Sequence, residues 1–255
     1  MHRLLLIWVG SAVLGLLGVA ATPASAKDEC VECHKNPEFM VTNKKLYDYY
    51  QNWQASAHGG EEATCADCHK GNPRTKNKDE AHKNMLRGKG GELVDFQQIP
   101  KMCGGCHEKL YKSYVTSRHY KKLLDQKAEQ QGPHCVTCHG SVSAKALDVT
   151  TVRATCEKCH TEEKNNHPAT PRRAEELLNE LNTIRAYTRF VTVRGDAADV
   201  QYAKKVLQPK IEALAVTWHT FDLKNIEPAS HDLLNLAKQK RKEITVRKGK
   251  KAPSE

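Results

Sequence analysis

Apolar positions along the chain fall into three stretches of different character. Leu4 to Ala21 is a nearly unbroken apolar run, long enough to span a bilayer. Arg3 precedes it and Ala24-Ser25-Ala26 follows, so residues 1–26 read as a secretory signal cleaved after Ala26, with a retained anchor as the alternative. Further on, two aromatic stretches, Leu46–Trp53 and Leu110–Tyr114, predict short helices. From residue 170 the apolar spacing becomes helical: Leu177, Leu181, Ile184, Thr188 and Val191 share one face. Thr170 and Pro171 offer a capping hydroxyl and a first-turn proline, and Arg194-Gly195-Asp196 breaks the run. A second face carries Val200, Ala203, Leu207, Ile211, Leu214, Trp218 and Phe221, with Pro209 kinking or restarting the helix. The pattern predicts a mainly α protein with almost no sheet. Residues 169–237 form a helical hairpin with a third short helix after Pro228, and residues 238–255 form a basic tail.

Between these stretches one phrase, Cys-x-x-Cys-His, occurs five times and uses all ten cysteines. The copies are Cys30–Cys33–His34, Cys65–Cys68–His69, Cys103–Cys106–His107, Cys135–Cys138–His139 and Cys156–Cys159–His160. This spacing is the attachment signal for c-type haem: two thiols bond to the porphyrin edge, and the histidine after them binds the iron. Zinc sites and disulfide frameworks do not require a histidine fixed after the second cysteine. Five covalently bound haems c are therefore expected on residues 27–168, with helices and long loops wrapped around the stacked porphyrins.

The cofactor changes how composition reads. The formal charge is +10, and +9 once residues 1–26, whose one charged residue is Arg3, are removed. Two propionates per haem add about ten negative charges and bring the holoprotein near neutrality. The basic sequence therefore does not point to nucleic acid. Few aromatic residues would ordinarily mean a weak core, but about one haem per 25 residues supplies apolar mass instead.

The haem-bearing stretch also repeats. Motif, aromatic helix, Ser56-Ala57-His58 and motif are followed by motif, aromatic helix, Ser117-Arg118-His119 and motif, offset by 73 residues at Cys30/Cys103 and 70 at Cys65/Cys135. The repeat marks His58 and His119 as ligands for the far face of a haem. His134, directly before Cys135, is a candidate for an iron other than the one His139 binds. His82 and His219 are further candidates, and His167 and His231 are reserves. The C-terminal helices read either as a structural lid or as the element that supplies His219. Met40 and Met102 lie near motifs but read first as filler. The tail's basic residues, Lys238 to Lys251, read as a solvated helix end or a disordered tail, with docking to an acidic redox partner or to anionic headgroups as the alternative.

Trp53, Ser56-Ala57-His58 and Cys65–His69 together resemble the multihaem cytochromes of nitrogen and sulfur respiration. That group includes the tetrahaem electron acceptor of hydroxylamine oxidoreductase and respiratory quinol dehydrogenase cytochromes. Cys68-His69-Lys70-Gly71-Asn72-Pro73 with Glu80-Ala81-His82-Lys83-Asn84-Met85 is similar to a second phrase of that group. The resemblance covers about residues 28–160. It implies that Ser-x-His imidazoles and His82 bind iron, and helical ends like Trp218-His219 occur in the same group.

The expected function is periplasmic electron transfer along mostly bis-histidine haems, between a donor and an acceptor protein, without a stable membrane span once the signal is removed. Three alternatives stand beside it. One haem could be open and act on a small nitrogen or sulfur compound, although the Cys-x-x-Cys-Lys motif of the resembled nitrite reductases is absent. The chain could be a subunit of a membrane quinol dehydrogenase, or of an oligomeric extracellular filament.

Overall fold

The structure is a computed structural model that describes residues 28–59, 63–86, 95–125, 132–143, 148–164 and 167–249. The expected signal lies outside the described residues. Residues 28–164 form short helices joined by turns: α1 (Glu29–His34), α2 (Glu38–Thr42), α3 (Lys44–Gln54), α4 (Cys65–His69) and α5 (Lys78–Ala81). These are followed by α6 (Ile99–Gly104), α7 (Glu108–Tyr114), α8 (Arg118–Leu124), α9 (Cys135–His139) and α10 (Val149–Glu157). Side-chain caps start several of them: Asp28, Asn77, Ser117 and Asp148 each accept from a first-turn amide, replacing bonds that a short helix cannot make internally. Among the described residues there is no strand, only an isolated bridge between Lys70 and Met85. The mainly α expectation holds.

Beyond residue 167 the helices lengthen into α11 (Thr170–Arg194), α12 (Ala197–Tyr202), a π-helical turn (Ala203–Leu207), α13 (Gln208–Trp218) and α14 (Leu223–Gly249). Leu177, Leu181, Ile184 and Val191 of α11 pack with Ala203, Leu207 and Leu214, and with Ile226, Leu233, Ala237 and Ile244 of α14. The buried Thr188 hydroxyl donates to the Ile184 carbonyl, which removes the cost of placing it on this face. The π turn precedes Pro209, whose missing N–H interrupts the ordinary helical ladder at that point.

Three details differ from the sequence reading. Thr170 is the first helical residue and makes no side-chain cap, because Ala169 takes the cap position. The third helix is not short: α14 starts before Pro228, includes it, and runs to Gly249. The expected boundary at 237/238 therefore falls inside a continuous helix. The charge run contains a second pattern: Ala237 and Ile244 are fully buried, and Lys240 and Arg247 reach back to the buried carboxylate of Asp199. Burial alone would raise the Asp199 pKa. Hydrogen bonds from Lys240, the Asp196 amide and Arg247 outweigh it and hold the pKa at about 2.

Candidate haem sites

The Cys-x-x-Cys-His spacing puts both thiols and the imidazole on one side of a single helical turn. The first, second and fourth motifs are such turns, forming α1, α4 and α9, while the third and fifth lie at the ends of α6 and α10. None of the ten cysteines is in a disulfide. Burial, with Asp28 nearby, pushes the Cys30 thiol up to about 12, and burial pushes Cys65 and Cys138 up to about 11. The thiols of successive motifs approach each other in chain order. Cys30 is within electrostatic reach of Cys65, Cys68 of Cys103 and Cys106, and Cys138 of Cys156. Cys103 and Cys135 share a hydrogen bond, which raises the first and lowers the second.

Four histidines from outside the motifs each face a motif histidine. Ring centroids are 6.3 Å apart for His34 and His82, 6.1 Å for His107 and His58, 6.0 Å for His160 and His119, and 6.2 Å for His139 and His219. An iron between two imidazoles sets a similar distance. A metal–nitrogen bond of about 2.0 Å plus about 1.15 Å from nitrogen to ring centre, taken twice, gives about 6.3 Å. The ring spacing fits a haem iron, and it is too long for direct stacking.

Each facing histidine is brought in by a definite local device. After α4 the chain reverses through Lys70 and Gly71, with φ values of +63° and +87°. A β-carbon at Gly71 would lie 2.5 Å from the Ala81 carbonyl oxygen, so only glycine permits the close return. Asn72 N–H donates to Ala81, Leu86 N–H to His69, and Glu29 N–H to Pro73. These bonds fold residues 70–86 back onto α1, which is why His82 meets the first motif rather than the second. The His82 ring is held by Nδ1, 2.6 Å from the Lys78 carbonyl.

The two Ser-x-His phrases follow equivalent aromatic residues. Trp53 Nε1–H donates to the Ala63 carbonyl at 3.1 Å, and Tyr114 O–H donates to the Pro133 carbonyl at 2.6 Å. Each aromatic lies three residues before its serine, and each acceptor lies two residues before the next motif. The duplication thus extends to a strap that fixes where a motif begins. Locally the two serines differ: Ser56 accepts from His58 N–H in a turn, whereas Ser117 caps α8. Both histidines pass over the next motif and face the one after it.

His219 follows α13, and its Nδ1 lies 2.8 Å from the Ala215 carbonyl. Ser113 Oγ–H donates to the Val216 carbonyl at 2.7 Å, and Arg153 pairs with Glu175 at 2.7 Å, so the C-terminal helices are fastened to the motif region near both sites. Burial lowers the pKa of His34, His69 and His219, and with His160 nearby it lowers His119 to about 4. A lowered pKa favours the neutral ring, the form in which imidazole binds a metal. His69 and His134 both have buried Nδ1 atoms. The reserves lie elsewhere: His231 pairs with Glu180 in the helical bundle at 3.3 Å, and His167 sits in a left-handed turn before α11. Met40 is exposed on α2, and Met102 immediately precedes Cys103 in α6.

Residues 94–161, which include the third to fifth motifs, match a family described as cytochrome c7 and related cytochrome c. No curated protein and no solved structure matches the chain. The match covers about a quarter of the chain and, with the repeated motif and the helical architecture, supports a multihaem c-type cytochrome with covalent haem. No helix among the described residues is long and apolar enough to cross a membrane.

Proposed function

We propose that the chain binds five haems c, all closed by histidine on both faces, and relays electrons along them in motif order between two redox proteins outside the cytoplasm. The observation that carries this reading is the set of four imidazole pairs at 6.0–6.3 Å. On this reading His82 serves the first haem, His58 the third, His219 the fourth and His119 the fifth. His69 and His134, the remaining motif histidine and the remaining candidate, are assigned to the second by elimination. Bound haem would supply one-electron chemistry, and two imidazoles at an iron would favour a low potential. The chain's own residues fix the order of the sites through the neighbouring thiols. They fix ring orientation through the Lys78 and Ala215 carbonyls, and close each iron against substrate. Neither Met40 nor Met102 is needed as a ligand in this arrangement.

Intact mass and the pyridine haemochrome spectrum of the mature protein should both give five haems per chain; four or fewer would remove a site from the scheme. Replacing His58 with Met should keep all attached haem and move one potential upward, as Met/His ligation does relative to bis-histidine. An unchanged potentiometric titration would strike His58 from the ligand set.

A further inference from the structure

Phe221 connects two of the sites from a backbone conformation that its side chain makes costly. It lies in the turn between α13 and α14 with φ +53°, a left-handed value that is an outlier for a bulky residue. Glycine or asparagine would take the turn with less strain, so the ring is what the position requires. The turn is over-determined by its neighbours. Phe221 N–H donates to the Trp218 carbonyl, Thr220 Oγ–H to Thr217, and Asp222 N–H to Thr220 Oγ. Held there, the ring meets His119 edge-on at 4.5 Å and 62°, with Tyr114 and His219 both at 6.4 Å.

His119 differs from the other helix-borne ligands in how its ring is held. His82 and His219 each place Nδ1 against the carbonyl four residues earlier. The His119 Nδ1 is buried with no hydrogen-bond partner among the described residues. Its ring plane must be set by packing, and the closest aromatic against it is Phe221. We infer that Phe221 is a positioning residue: its ring, carried by the C-terminal helices, fixes the plane of the His119 imidazole on the fifth haem. The inference rests on the reading that His119 and His160 hold that haem. It also gives the C-terminal helices a role at two haems, directly through His219 and indirectly through Phe221.

The test uses full-length holoprotein and low-temperature electron paramagnetic resonance, because the g-values of a low-spin ferric haem depend on the planes of its axial imidazoles. His119→Met and His219→Met first identify the signals of the fifth and fourth haems. Phe221→Ala and Phe221→Leu should then shift the g-values of the signal that His119→Met removes, with haem content unchanged, while Phe221→Tyr keeps the native spectrum. Should Phe221→Ala fail to accumulate, Phe221→Leu decides, since it keeps most of the volume without the ring. Native g-values in the leucine variant would overturn the inference and leave the ligand assignment standing. So would a shift confined to the signal removed by His219→Met. If His119→Met removes no signal, the ligand assignment itself fails and the inference falls with it.

Discussion

The motif region and the C-terminal bundle are both helical, yet different things hold them together. In the bundle, eleven buried aliphatic side chains from α11, the π turn, α13 and α14, each at most 4% exposed, form a continuous core. In the motif region, Pro100, Tyr114 and Leu123 are the buried larger apolar side chains among the described residues, and the helices have four to eleven residues. Helices that short do not persist on propensity alone. What the motif region has instead is histidine pairs spaced for a metal and thiols in chain order. One part of the chain packs on its own side chains, and the other has the motifs and imidazole pairs around which covalent haem would supply a core.

The strongest way to break this contrast is to withhold haem. Chain produced without haem attachment should lose protease resistance over residues 28–164 while a fragment near residues 170–249 survives. Uniform resistance would show that the motif region does not need its cofactor. Within the bundle, Leu181→Ala should cost about 2–5 kcal/mol by leaving a cavity. It should lower the melting transition without altering the haem potentials, and an altered potential at the fourth haem would show that the two regions are energetically one. Next in size is Asp199→Asn, expected to cost about 2–3 kcal/mol because Lys240 and Arg247 lose their buried partner. The Asp199 pKa is depressed, so its stabilisation is complete above the ordinary 3.8 and is lost as pH falls toward about 2. Denaturant titrations from pH 6 to pH 2 should therefore converge for wild type and variant at the acid end. The smallest effect is expected from Ser113→Ala, about 1 kcal/mol, since one hydrogen bond to the Val216 carbonyl joins α7 to α13. A change several times larger would mean that this contact is the main hinge between the regions.

Much of the site could be read from residue order, and the limits are physical. Five motifs named the thiols and motif histidines, and the repeat picked out His58 and His119. Helical spacing marked the face of α11 that is buried. Pairing could not be read, because it depends on where loops return. His82 meets His34 through the reversal at Lys70 and Gly71, and both Ser-x-His phrases pass over the nearest motif. The buried face of the tail could not be read for a related reason. Its charges mask Ala237 and Ile244 at helical spacing, and Asp199, which neutralises Lys240 and Arg247, lies 41 and 48 residues away in sequence. Phe221 carried no signal as a ligand neighbour, since nothing in a sequence predicts a phenylalanine in a left-handed turn.

The central claim is that every iron is closed on both faces by histidine. Carbon monoxide binds ferrous haem only where an axial position is vacant or weakly held, so a difference spectrum of the reduced mature protein tests that claim at all sites together. No spectral change at saturating carbon monoxide is the predicted result. A change equivalent to one haem would contradict it, placing an open iron in the chain and making nitrite and hydroxylamine the first substrates to try.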